Sequence, residues 1–490
     1  MALTAESIPM RWAAGPLEIA RREKTKGFTA ATAEVLRKWL DPATLAIVQG
    51  TPVNCLVVSW ASGLSADADQ QKALKPLIEK GRQSGLAFVG LIDGEANKPA
   101  ALAAAKAAGL TAVIMDGDAP ANAGIAIIPR SEAGKLSWKT ASPVLGISDG
   151  KWPGIPSDIN QAGGPTNLPW VDSNGSVLRI ARALAPGKSV WIEFDPPAAA
   201  QTADAYQLAV ADPASYGARW VISLDDAMRG DLAANKQAAL DSWKKVVTML
   251  AFFEKNTQAR SYHQAGPLAV ISSFAGSNWN FSEEAVNILP RIREPFKAIA
   301  RQHAAGASFA GLQAIYYMDD ESPEPLLRQK LIDFAKDGGT LFVPSNWKNP
   351  EGEPAKAEPY FLFNLHALGK GRLGVCKEDS PDTYDTVEDI QTILSHRNDV
   401  IRLYNAPSMN YFYQAAGQGK QGGVIHLLNY SRRPASDGPL FYMKEKHGSA
   451  RLVSPEFASP VELKWVAQEA GGVELSLPKI AVYGAVELES

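Results

Sequence analysis

A chain of 490 residues with 46% hydrophobic side chains is too long for one core and points to two to four domains. Its formal charge of −3, with no basic stripe, argues against a nucleic-acid partner. No uninterrupted apolar run approaches the roughly 18 residues of a membrane span.

From Ala30 to about Ala265 the pattern alternates strand and helix. Runs rich in β-branched and apolar residues occur at CLVVSWA (55–61), LAFVGLID (86–93), TAVIMDGD (111–118), IAIIP (125–129), VLGIS (144–148), SVWIEFD (189–195) and RWVISLDD (219–226). Helical spacing separates most of them, as at Asp69–Gln83 and Lys98–Ala108, and this order implies a parallel sheet with helical crossovers. About seven or eight such units match an α/β fold of the (β/α)8 barrel type. The stretch between Asp118 and Ile125 is too short for a helix, so the barrel should be irregular there.

A long helix, Ala233–Lys255, leads to a second alternating block. PLAVISSFAG (267–276), LQAIYYMDD (312–320) and GTLFVPSNW (339–347) read as strands, with helices from about Glu283 to Gln302 and from Pro325 to Lys336. Gly338 closes the second of these helices, as glycine does at a C-cap. Beyond Asp389 the texture becomes short alternating strands separated by Gly, Pro and Ser: GGVIHLLNYS (422–431), ARLVSP (450–455), VELKWVA (461–467), GVELSLP (472–478) and AVYGAVELE (481–489). That is the pattern of an antiparallel β-sandwich. GKGRLG (369–374) lacks the ending of a phosphate loop and reads as a turn.

This order of blocks resembles glycoside hydrolase family 42 β-galactosidases and related barrel glycosidases. The resemblance implies a barrel over 1–265, a glutamine-amidotransferase-like α/β domain over 266–388 that serves oligomer contacts, and a β-sandwich over 389–490. It also implies a carbohydrate substrate and a homo-oligomer, a dimer or trimer. Family 42 enzymes carry an Asn-Glu pair at the end of the fourth barrel strand, with the Glu as acid/base, and no Asn-Glu dipeptide occurs in this chain. The family's catalytic residues therefore do not carry over. The chain is either a glycosidase with another carboxylate pair or a relative without the chemistry.

In such a barrel the reactive groups sit at the carboxyl ends of the strands. Strand parity turns Trp191, Glu193 and Asp195 inward, together with Val221, Ser223 and Asp225. Glycoside hydrolysis needs one carboxyl that gives a proton and one that attacks or activates water. Glu193 and Asp225 form the leading catalytic pair, with Asp116 next. The alternative is that these acids cap helices or pair with Arg179, Arg219 and Arg229. The segment from SDGKWPG (148–154) to WVDSNG (170–175) is long for a loop and is expected over the barrel mouth. Its Trp152 and Trp170, with Trp60 on an earlier strand, offer flat faces for sugar C–H groups. Asp149, Asn167, Asp172 and Asn174 offer hydroxyl partners. Trp152 and Trp170 could equally anchor the loop, and core packing is the favoured alternative for Trp60.

Cys55 and Cys376 read as buried free thiols, and the six His have no ligand spacing, so neither zinc nor another cofactor is expected. The start, MALTAESIPM, has no basic segment leading into an apolar one. A mature secreted or periplasmic protein with an added initiator Met would begin the same way. The leading expectation is an exo-acting glycoside hydrolase. A non-catalytic carbohydrate-binding relative and a hydrolase of sialosides or uronides, using Arg130, Lys151 or Arg229 to hold the carboxylate, are the alternatives.

Overall fold

A computed structural model describes residues 6–25, 27–117, 123–135, 140–155, 170–197, 202–354, 361–395, 400–406, 408–416, 422–431 and 438–489. The chain forms two compact units, one of residues 1–152 and 187–255 and the other of residues 153–186 and 256–490.

The first unit is an eight-stranded parallel barrel in sequential order. Its strands are β1 (Pro9–Arg11), β2 (Cys55–Ala61), β3 (Ala87–Ile92), β4 (Ala112–Asp116), β5 (Ala126–Ser131), β6 (Val144–Ile147), β7 (Ser189–Ile192) and β8 (Arg219–Trp220). The sheet closes where the Arg11 amide donates to the Ile222 carbonyl at 2.8 Å and the Ile222 amide donates to the Pro9 carbonyl at 3.0 Å. Cys55, Val57, Val89, Leu91, Ile114, Ile128, Val144, Trp191 and Val221 share one buried cluster, the barrel interior. The opposite parity meets the helices, which is why β2 and β3 are buried at every position.

Helices α1 (Pro16–Arg22), α2 (Ala30–Lys38), α3 (Asp67–Gln83) and α4 (Lys98–Ala107) follow the early strands. Asn97 caps α4 and a proline occupies its first turn, a standard helix start. The described residues between β4 and β6 contain no α-helix, in keeping with the short spacing after Asp116. Helix α5 (Gly175–Leu184) belongs to the second unit, whereas α6 (Ala203–Ser215), α7 (Asp226–Ala233) and α8 (Gln237–Lys255) belong to the barrel. The helix expected from Ala233 to Lys255 thus begins at Gln237. Asn235, in the left-handed region at φ 53°, separates it from α7.

Two departures concern strands. β1 is not among the expected strands, because three residues beginning with Pro carry no alternation to read. In the second unit, the single helix expected from Glu283 to Gln302 is α9 (Trp279–Arg291), β11 (Phe296–Ala300) and α10 (Arg301–Ala304). Arg293 turns at φ 65°, and FKAIA then pairs in parallel along all five residues of β10 (Leu268–Ser272). Tertiary pairing overrides the helical leaning of Lys and Ala there.

The second unit's α/β sheet runs in the order β11-β10-β12-β13-β16-β15-β14. Its remaining strands are β12 (Ala314–Tyr317), β13 (Thr340–Val343), β14 (Glu353–Pro354), β15 (Phe363–Leu368) and β16 (Gly371–Cys376), with α11 (Pro325–Lys336) and α12 (Thr383–Leu394) as later helices. GKGRLG makes the β15–β16 turn, where Gly369 sits at φ 61°, and then enters β16.

Two antiparallel sheets complete this unit. One contains β17 (Ile401–Tyr404), β20 (Leu440–Met443), β24 (Val473–Ser476) and β23 (Trp465–Ala467). The other contains β22 (Val461–Glu462), β21 (Ser449–Val453), β25 (Tyr483–Glu489), β19 (Gly423–Asn429), β18 (Met409–Ala415) and β9 (His263–Gln264). Their facing residues, among them Leu403, Phe441, Leu475, Ile425, Leu452 and Val486, share one core, which makes the pair a sandwich. The run 461–467, expected as one strand, splits between the two sheets.

Candidate active site

The barrel's interior parity continues past the strand ends and delivers polar residues there. Val57 is followed at the same parity by Ser59, Leu91 by Asp93, Ile114 by Asp116, Ile128 by Arg130, Trp191 by Glu193 and Val221 by Ser223. β1 adds Arg11, and α1, directly after it, adds Glu18 and Arg21.

Arg130 joins two of the acids. Its Nε donates to Asp116 Oδ1 at 2.8 Å and its Nη1 to Glu193 Oε2 at 3.2 Å. Gly146 on neighbouring β6 makes room, since a Cβ there would stand 3.1 Å from the Arg130 Cβ. Asp116 is 54% exposed, whereas Glu193 is 26% exposed and closely surrounded by protein. Burial raises the Glu193 pKa above the usual carboxylate range; Arg130 and Arg11 oppose the rise, and Asp195 adds to it. The site thus holds one carboxyl biased toward its neutral form beside an open one.

A second network lies on the β1–β3 side. Arg11 Nη2 donates to Glu18 Oε1 at 2.5 Å and to Ser59 Oγ at 2.6 Å. Ser59 also donates to Glu18, and Arg21 donates to Ser59 and pairs with Asp93. Burial alone would raise the pKa of Glu18, but Arg11, Ser59, Arg21 and Arg22 together outweigh it and hold that carboxyl below its ordinary range. Two buried donors, Arg11 Nη1 and Trp191 Nε1, have no hydrogen-bond partner among the described residues. Arg11, Glu18 and Arg21 escape a reading by strand alternation together with β1. Ser59 is within reach of the parity argument that finds Glu193.

The remaining candidate residues take other positions. Asp225 caps α7, accepting from the Met228 amide at 2.8 Å and from the Tyr206 hydroxyl at 2.6 Å. Arg130 contacts Asp116 and Glu193, whereas the bonds of Asp225 go to Tyr206 and Met228. Trp60 takes the core-packing reading and not the sugar-facing one: it is buried with its indole N–H on the Ala101 carbonyl, because inward-facing Val57 and Ser59 turn it toward the helices. Asp149 accepts from the Ala133 amide at 3.0 Å. Trp152 packs edge-on against Phe194, Tyr206 and Trp220, the anchoring role. Arg229, offered as a carboxylate binder, is buried, with Asp226 and the Ala13 carbonyl as partners.

Trp170, Asp172 and Asn174 lie in the second unit. Trp170 is 41% exposed, donates to Asp172 Oδ1 at 3.1 Å and carries the Arg291 guanidinium 4.4 Å from its ring centre. Asn174 is buried before α5. Asn167 lies outside the described residues. Among the described residues, no group of three or more His, Cys, Asp or Glu is placed to hold a metal ion.

No family model matches the chain, and no curated protein matches it. Among solved structures, it is similar to α-L-fucosidase isoenzyme 2 from Paenibacillus thiaminolyticus, with 10% identity, 99% of this chain and 100% of that chain covered, and a TM-score of 0.60. It is also similar to an exo-β-1,4-mannosidase from Opitutaceae bacterium strain TAV5, at 12% identity with 80% and 97% of the two chains covered and a TM-score of 0.47. A family 42 β-galactosidase from G. stearothermophilus matches at 9% identity, with 87% of this chain and 68% of that chain covered and a TM-score of 0.43. The first of these similarities establishes a shared fold along the whole chain.

Proposed function

We propose that the protein is an exo-acting glycoside hydrolase whose reaction is carried by Glu193 and Asp116. The observation that supports this reading is one guanidinium, Arg130, holding two inward-facing carboxyls at the ends of β4 and β7 while burial biases one of them toward its neutral form. Glu193 gives its proton to the leaving oxygen, and ionised Asp116 attacks the anomeric carbon or activates water.

A screen against aryl glycosides and end-labelled oligosaccharides tests the reading. Turnover that is lost in both Glu193→Gln and Asp116→Asn, with single sugars as the product, is the expected result. Turnover indifferent to both variants rules the pair out. Light scattering on the purified protein tests the accompanying proposal of a dimer or trimer.

One observation favours a non-catalytic carbohydrate-binding relative instead: Arg130 engages both acids at once. That reading predicts sugar-dependent stabilisation of the wild-type protein without turnover of any glycoside.

A further inference from the structure

A cleft of about 790 Å³ is lined by Asp195 to Pro197 after β7, by Ser223 to Met228 after β8 and by residues of α6 and α8. It begins at Asp195, which shares the inward parity of Glu193 and lies at most about 7 Å further along an extended chain. Ser223 Oγ, also in its lining, donates to Asp195 Oδ1 at 2.6 Å. In the same lining, the Tyr206 hydroxyl and the Met228 amide hold Asp225. Pro196 and Leu224 supply apolar wall.

Charge sets what the cleft can take. Asp226 is neutralised by Arg22 at 2.9 Å and by Arg229 at 3.1 Å, and Asp231 is paired with Lys236. Asp195 and Asp225 have only hydroxyl or amide partners, and no cation lies within ion-pair distance of either among the described residues. An ionised carboxylate is an acceptor only, and one hydroxyl does not saturate it. Both acids therefore keep lone pairs for further O–H donors, while a second carboxylate brought into the cleft meets like charge. The volume lies within the range of small-ligand sites.

We propose that this cleft is the subsite for the leaving group, that it takes an uncharged saccharide ring, and that Asp195 with Ser223 recognises that ring's hydroxyls. The inference rests on the glycosidase reading above. It excludes uronides and sialosides as leaving groups.

The test compares, for one glycone, a neutral disaccharide, its counterpart with a uronate in the leaving position, and the aryl glycoside. Loss of a charge-assisted hydrogen bond should raise KM for the neutral disaccharide in Asp195→Asn and Ser223→Ala roughly tenfold more than KM for the aryl glycoside. A merely structural lesion would raise both alike. Wild-type kcat/KM should also favour the neutral disaccharide over the uronate. Turnover lost in Glu193→Gln but equal KM changes in the cleft variants, or preference for the uronate, overturns the cleft assignment and leaves the glycosidase standing. If no glycoside is turned over, the glycosidase reading fails, and calorimetry with the same disaccharides decides the cleft. Neutral-disaccharide binding weakened in both variants keeps it as a saccharide site, and binding that is absent or unchanged removes it.

Discussion

Arg130 Nη1 lies 3.2 Å from Glu193 Oε2, so the same cation that orients this carboxyl also opposes the rise in its pKa that burial produces. Removing the cation should move the titration of Glu193 further upward. If Glu193 is the proton donor, activity falls as pH rises through its pKa, and in Arg130→Met that alkaline limb should shift to higher pH. The pH dependence of kcat/KM measures the shift, and a limb that stays in place or moves down removes Glu193 as the titrating donor.

Glu193 also bears on stability, with a definite sign. Because its folded pKa lies above the unfolded one, the folded state binds the proton more tightly, and stability falls as pH climbs from the unfolded value to the folded value. Glu193→Gln should therefore melt higher than wild type at neutral pH while losing turnover. An equal or lower melting temperature would show that the Arg130 contact outweighs burial.

Glu18 has the opposite sign. Its folded pKa is depressed, so its contribution is fully present above the unfolded carboxylate value near ~4.3 and is lost as pH falls through the folded pKa. Glu18→Gln leaves Arg11 and Arg21 without their shared acid and should cost about 3 kcal/mol at pH 7, with a smaller loss in acid. Urea denaturation at two pH values checks both parts, and a loss independent of pH would remove the linkage.

For Asp225 the cap makes a separable prediction. Asn can still accept from the Met228 amide, so Asp225→Asn should be nearly neutral in stability, whereas Asp225→Ala should cost about 1 kcal/mol or more. Turnover abolished in Asp225→Asn but retained in Asp116→Asn would return Asp225 to the catalytic pair.

Trp60→Ala should lower stability by about 3 to 5 kcal/mol through loss of core volume, without a selective effect on sugar affinity. A stable Trp60→Ala protein with weakened sugar binding would contradict its place between β2 and α4.

The barrel is legible in the sequence wherever parity has room to repeat. Strands with alternating residues are enough, by themselves, to place Trp191 and Val221 inside, and Glu193 and Ser223 follow them at the same parity. β1 is not legible, because PMR becomes a strand only through its partners on β2 and at Ile222, residues remote in sequence. With it go Arg11 and the network around Glu18. Asp225 shows a different limit: parity gives the side of the chain, but the helix beginning at Asp226 claims the carboxylate as its cap. Arg130 reads from the sequence as a cation for an acidic substrate. Its bond to two acids of its own chain depends on Gly146, one strand away.

The hydrogen bonds from β1 to Ile222 order events during synthesis. Pro9 and Arg11 leave the ribosome long before Ile222, and the residue that completes their sheet follows only after the chain has supplied residues 153–186 to the other unit and come back. Until then the N-terminal strand is an open edge, liable to pair with other chains. Ribosome-bound chains halted before Ile222 should thus be protease-sensitive and prone to aggregate, even though most of the barrel sequence has already emerged.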